Sequence, residues 1–178
     1  MATHIDPDDK DWTWVLQRPC DECGLDARSI ESSDVGPMIL DNAAQWRHVL
    51  GADGADVRVR TRPDRWSTLE YGAHVRDVYR LYEQRLRLML DYDDPVYPNW
   101  DQDETAIAER YDQQDPATVA VELVVAATIL ATSFNDVRDD DWQRPGRRSD
   151  GARFTIASFA RYLVHDPVHH LWDVRHAA

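Results

Sequence analysis

The sequence predicts an all-α fold, a four-helix bundle with long crossover loops and an irregular N-terminal extension. Four long stretches carry apolar residues at the spacing of one helix face, and alternating strand-like runs are almost absent. A chain of 178 residues fits one domain whose core needs no covalent staple.

Residues 1–32 lack a helical period and hold seven acidic side chains in the first thirty, the pair Trp12 and Trp14, and the only two cysteines, Cys20 and Cys23, followed by Gly24. They read as an extension packed on a bundle domain of residues 33–178. The first long helix begins near Ser33 or Asp34, takes Pro37 in its first turn, and buries Met38, Leu40, Ala43, Trp46, Val49 and Leu50 before Gly51 ends it. His48 falls off that stripe and reads as solvated. Residues 51–65, rich in Gly, Asp, Arg and Pro, form a loop with an extended piece at Val57–Val59. Ser67 and Glu70 have capping-box spacing, so a second helix spans about 67–91 with a broad apolar face and His74 one turn past the cap. Asp77 either holds that imidazole or faces water.

Residues 91–103 are too long and too rich in Pro and Asp for a bundle turn; a solvated crossover is one reading, and a cover over a pocket lined by Asn99 and Trp100 is the other. A short helix at 104–114 ends at Asp115–Pro116, which caps a third long helix running to Phe134. Glu122 is the only charge in that run, so the helix must be central. Residues 137–151 are loop, with four arginines beside four aspartates. The last long helix starts near Thr155, and Pro167 interrupts it by removing one backbone hydrogen bond.

Composition narrows the function classes. A net charge of −13 repels phosphate backbones and sets nucleic-acid partners aside. No uninterrupted apolar run reaches the ~18 residues of a bilayer span, which sets a membrane partner aside. The acidic start has no basic-then-apolar order, so a cytoplasmic location is expected. Nineteen of the 20 basic residues are arginine, as GC-rich genomes encode, and this says little about mechanism.

The candidate chemistry lies on helices. His165 and His169 are four apart, about 40° on one helical face, and form two prongs of a metal site or a solvated filler pair. His74, on another helix, offers a third ligand, since facing helices of a bundle converge on metals. His170 is a rival ligand to His169, but at 100° from it should point elsewhere on a regular helix. Cys20 and Cys23 resemble half a zinc knuckle; a metal site completed by His4 or another histidine, a redox dithiol and a reduced structural turn all remain open.

The helix order and the histidine positions together resemble the DinB-like metalloproteins, the group that includes the N-terminal domain of mycothiol-dependent maleylpyruvate isomerase. The resemblance covers about residues 33–175. It implies a bundle with one histidine on the second helix and two ligands four apart on the fourth, hence His74, His165 and His169 as metal ligands. It further implies a divalent metal, zinc with nickel, manganese or iron as alternatives, and an enzyme using a low-molecular-weight thiol of the mycothiol or bacillithiol type. Such an enzyme would be a thiol transferase or isomerase acting on small electrophiles. Pro167 between the ligands, and Leu171-Trp172-Asp173 in place of the polar Arg-Gly-Gln of many relatives, depart from the family pattern. A ligand-binding stress protein of the same fold without turnover, and a redox sensor built on the cysteines, are the other readings; a homodimer is left open. Lying outside the family core, the cysteines are expected to be separable from the metal chemistry.

Overall fold

A computed structural model describes residues 11–52 and 56–176. Helix α1 spans Ser32–Leu50, α2 Thr68–Asp91, the short α3 Gln102–Ala108, α4 Pro116–Asn135 and α5 Ile156–Arg175. The starts are fixed by side-chain oxygens that accept first-turn N–H groups with no helical partner. Ser67 Oγ accepts Glu70 N–H at 3.2 Å while Glu70 Oε2 accepts Ser67 N–H at 2.8 Å, the capping box read from the spacing. Asp115 caps α4 through Thr118 N–H at 2.8 Å, and Thr155 caps α5 through Ser158 N–H at 3.2 Å.

The four long helices do not follow one another around the bundle. Helix α4 packs against both α1 and α2, and α5 packs against the same two from the other side, so the cyclic order is α1, α4, α2, α5. The α1–α2 and α4–α5 connections each cross a diagonal, which is why residues 51–67 and 136–155 are long. The core between the helices contains Trp46, Tyr79, Leu86, Met89, Leu123, Leu130, Phe134, Phe159 and Leu163, all essentially inaccessible to water.

Three expectations change in detail. The helix expected at 104–114 is α3 followed by a 3-10 turn at Tyr111–Gln113, because Arg110 adopts a left-handed φ of 48° that ends the first piece. A small sheet lies in the crossovers: β1, Val96–Tyr97, runs parallel to β2, Pro145–Arg148, which pairs antiparallel with β3, Arg153–Thr155. Strands of two to four residues carry no readable alternation, and the fold remains an all-α bundle. Helix α4 is central on one side only. Its Val119, Ala120, Leu123, Ala127 and Leu130 are buried, whereas Val121, Val125 and Ile129 line its outer side. By length and composition α4 could span a membrane, but its inner face belongs to the bundle core.

Pro167 does not break α5, which is continuous through it. Its carbonyl accepts Asn42 Nδ2–H at 3.1 Å and Trp46 Nε1–H at 3.3 Å from α1, and Tyr79 O–H donates to Asn42 Oδ1 at 2.8 Å. These buried bonds hold the helix against α1 and offset the bond that proline cannot make.

The described part of the extension packs against α5. Val15, Cys20, Ala27 and Ile30 are buried, and Arg161 on α5 donates to the Ile30 carbonyl at 3.0 Å. Asp77 does not hold His74; it binds Arg76 at 2.9 Å, Arg80 at 3.2 Å and the Tyr111 hydroxyl at 2.7 Å, tying α2 to the turn before α4. His48 is exposed, as its position off the stripe predicts.

Glu70 also serves the loop beneath the site. Burial opposes its charge, but Arg60, with Nε at 2.9 Å, and the Ser67 N–H outweigh that and hold the carboxyl below its ordinary value. A carboxyl depressed in the folded state contributes stability above its unfolded pKa near 4.5, and that stability is lost as pH falls below it. Glu70→Ala is therefore expected to cost on the order of 2 kcal/mol at pH 7, and the deficit should shrink at pH 4. Urea unfolding at the two pH values checks this; an equal deficit at both would contradict it.

Candidate metal centre

The structure divides the predicted triad between two clusters. His74 lies with Asp166 and His170, whereas His165 and His169 lie with Cys20 and Cys23; within each cluster the ligand atoms all fall within 4.8 Å of one another. The reason is the orientation of α5. Pro167 faces α1, and at about 100° per residue His165 and His169 fall close to the opposite side, beneath the N-terminal segment. Asp166 and His170 fall on the flank that meets α2. His170 does diverge from His169, as helical geometry requires, and it diverges toward His74. The His74, Asp166 and His170 cluster thus has one residue on the second long helix and two residues four apart on the last, one position later in the chain than His165 and His169.

The donor atoms of His74 and the Oδ1 of Asp166 are buried. His74 is 0 % exposed, and among the described residues neither of its ring nitrogens has a hydrogen-bond partner, nor has Asp166 Oδ1. His74 Nε2 and Asp166 Oδ1 are 3.4 Å apart, and His170 Nε2 is 3.7 Å from the same oxygen. Such groups are costly to bury unless something binds them, and a divalent cation between them satisfies all three. Burial pushes the His74 imidazole below its ordinary value, keeping it in the neutral form that ligates. Burial also opposes charge on Asp166, but the imidazoles of His170, His74 and His165 outweigh it and hold the carboxyl well below the usual range. The chemistry of the donor set, two imidazoles and one carboxylate, fits a divalent metal that retains open positions.

Neighbouring groups fix the ligands. His170 Nδ1 lies 3.1 Å from Asp173 Oδ2, and Asp173 is held in turn by Arg65 Nη1 at 3.1 Å. With Nδ1–H donated to Asp173, Nε2 is the nitrogen turned toward Asp166 and the one that would ligate a metal, in the usual carboxylate–imidazole–metal arrangement. The His74 ring stacks on Trp100 with centroids 5.3 Å apart and packs against Trp66 at 5.2 Å, so it cannot swing. Trp100 is anchored by donating Nε1–H to Thr105 Oγ1 at 2.7 Å.

Beside the cluster opens a cavity of about 630 Å³ lined by Trp12, Trp66, Tyr71, Asn99, Trp100 and Tyr162 among others, with His165, Asp166, His169 and His170 in its wall. Asn99 and Trp100 thus line a pocket, the second of the two readings of their loop. Arg85 also reaches this cavity. It is 5 % exposed, donates Nη2–H to the Pro98 carbonyl at 2.8 Å, and lies over the Tyr97 ring at 4.9 Å. Its Nε–H has no partner, and no carboxylate pairs with it among the described residues.

The sequence profile of the DinB superfamily matches residues 41–174. The chain belongs to the DinB superfamily. The matched stretch contains His74, His165, Asp166, His169 and His170 but neither cysteine. Among solved structures, YfiT from Bacillus subtilis, described as a probable metal-dependent hydrolase with an unusual four-helix bundle topology, superposes with a TM-score of 0.74 at 15 % identity, over 84 % of this chain and 88 % of that one. At that identity the likeness shows the shared bundle. No curated protein sequence matches the chain.

Asp166, Asp173, Trp66 and Arg85, which the sequence reading did not name as candidates, lie in this cluster or line the cavity beside it. Asp166 and His170 form an i, i+4 pair as good as His165 and His169. The signal that separates the pairs is which of them flanks the apolar stripe of α5 and which opposes it. Continuing that stripe from Leu163 and Val164 through Pro167 to Leu171 puts Asp166 and His170 on its flank. His4, a candidate fourth partner for the cysteines, lies outside the described residues.

Proposed function

We propose that the protein is a metal-dependent enzyme in which His74, Asp166 and His170 hold one divalent ion, zinc as first choice, at the floor of the cavity. The observation that carries this is the convergence of His74, Asp166 and His170 from α2 and α5 on one point beside a pocket of small-molecule size, with His74 and Asp166 Oδ1 buried and without hydrogen-bond partners among the described residues. Bound there, the ion would supply a Lewis acid that favours the deprotonated form of a thiol or water in its open positions. The chain's own residues do the rest. Asp173 orients His170, Trp66 and Trp100 exclude water around His74, and Arg85, which pairs with no carboxylate among the described residues, offers its guanidinium Nε–H to an anionic group of the substrate.

The reaction class that fits the family is transfer of a low-molecular-weight thiol of the mycothiol type to a small electrophile, or an isomerisation using that thiol. Arg85 favours a substrate or thiol bearing a carboxylate, since a buried cation gains most from an anion that shares its dry site. Hydrolysis, the activity ascribed to YfiT, would use the same donors with water as nucleophile. A ligand-binding stress protein without turnover is the remaining alternative.

Metal-loaded protein should be assayed on a panel of carboxylate-bearing electrophiles and esters, each with and without mycothiol or bacillithiol. Turnover only with thiol supports the transferase, turnover without it supports a hydrolase, and binding without turnover in any arm contradicts an enzyme. Arg85→Met should raise KM for a carboxylate substrate by about tenfold or more, a charged hydrogen bond of about 1.5–3 kcal/mol, while leaving metal content unchanged. An unchanged KM would remove Arg85 from recognition.

A further inference from the structure

We infer that Cys20, Cys23, His165 and His169 form a second metal site, a closed tetrahedral zinc centre that staples the N-terminal segment to α5. The inference stands independently of the proposed enzyme chemistry, because these four residues share no ligand with the His74 centre.

The geometry is that of a complete ligand set. One ligand atom from each residue falls within 4.8 Å of every other, and Cys20 Sγ is 3.6 Å from His169 Nδ1. A zinc tetrahedron with Zn–S about 2.3 Å and Zn–N about 2.05 Å has an S···N edge of about 3.6 Å. Cys20, His165 and His169 are buried, and His165 Nε2 has no hydrogen-bond partner among the described residues. The two thiols are not joined in a disulfide.

The surroundings select both the tautomer and the metal. Glu22, between the two cysteines, places Oε2 3.2 Å from His169 Nε2, so the ring donates Nε2–H outward and leaves Nδ1 for a metal beside Cys20. Gly24 adopts a φ of 75° and donates its N–H to the Cys20 carbonyl at 2.9 Å, the tight turn that brings both sulfurs to one side. Two sulfurs and two imidazoles in a tetrahedron suit zinc over harder cations. A redox role is the weaker reading, because a dithiol needs no converging imidazoles, whereas His165 and His169 bring a ring nitrogen each to the unjoined sulfurs.

Four protein ligands leave no open position, so this centre is structural where the His74 centre is open. Its product is the seat of Trp12, whose ring packs at 5.5 Å from His165 and 4.9 Å from His169 and lines the cavity. The zinc would therefore build one wall of the pocket. The expectation that the cysteines are separable from the metal chemistry of His74, His165 and His169 would change with this site, because the cysteines would complete it with two of those histidines.

The test uses the full chain, stripped with a chelator, reloaded with zinc or cobalt(II) alone, and desalted. Zinc-loaded wild type should hold two ions per chain, and its X-ray absorption should show Zn–S scattering near 2.3 Å. Cobalt-loaded wild type should show a sulfur-to-cobalt charge-transfer band, which needs no variant to fold. Cys20→Ser/Cys23→Ser should lose that band and one ion, whereas Asp166→Asn/His170→Gln should keep the band and lose the other ion. His165→Ala/His169→Ala should lose the tetrahedral cobalt signature. One ion with metal–sulfur bonds supports this site and counts against the His74 centre. Absence of metal–sulfur bonds in loaded wild type, a Cys20–Cys23 disulfide in the purified protein, or a tetrahedral cobalt signature unchanged by the double histidine variant would each overturn the inference.

Discussion

Asp166→Ala and His170→Ala are each expected to empty the centre at His74 and to abolish metal-dependent activity, whereas His165→Ala should leave that centre loaded. Each of the first two removes a ligand, so the affinity loss should exceed the about 10–100-fold that follows removal of an outer partner. Asp173→Asn, which removes only the acceptor for His170 Nδ1–H, should fall within that smaller range. Competition titration against a chelator of known affinity measures all four. The contrast matters because adjacent residues on α5 would serve different centres under this proposal, and a pair chosen from sequence spacing alone predicts the opposite ranking. Should His165→Ala empty the open centre while Asp166→Ala keeps it, the register drawn from the orientation of α5 would be overturned.

Trp46→Ala is expected to cost about 3–5 kcal/mol, a large share of the about 5–15 kcal/mol that typically holds a domain together. Trp46 is 0 % exposed, and its indole N–H is one of two donors on the Pro167 carbonyl. The loss therefore combines a cavity in the core with a weakened tie between α1 and the ligand-bearing turn of α5. Trp46→Phe keeps most of the packing and leaves Asn42 on that carbonyl, so it should cost about 1 kcal/mol, the net worth of one hydrogen bond. Zinc in excess should recover part of either deficit, since a metal that binds only the folded state stabilises it. Urea unfolding of the two variants and wild type checks the order. Equal deficits for Ala and Phe would mean that the hydrogen bond, not the packing, dominates.

The bundle was legible because its signals are local and repeated. Apolar spacing located the four long helices, and the capping box at Ser67 and Glu70 and the Asp115–Pro116 pair marked two starts to within a residue or so. The three-stranded sheet was not, since its strands are too short for a period and exist only because two crossover loops meet. The order of helices around the bundle was hidden as well: crossover lengths permit a diagonal connection but do not require one. At the site, His74 was readable as a histidine on the second long helix. The choice between His165 with His169 and Asp166 with His170 turned on the rotation of α5, and two hydrogen bonds from α1 to the Pro167 carbonyl set that rotation. Pro167 reads in sequence as a helix breaker. In the fold it faces α1 and divides the two ligand pairs. The cysteines gave half a motif, and their partners lie about 145 residues away, a distance that no local spacing rule spans.

The most direct test of the account is a metal-edge anomalous difference map from crystals of the zinc-loaded protein. The account predicts a peak about 2.0–2.2 Å from His74 Nε2, an Asp166 carboxylate oxygen and His170 Nε2, open toward the cavity. A peak bonded jointly to His74, His165 and His169, or no peak between His74 and Asp166, would contradict it.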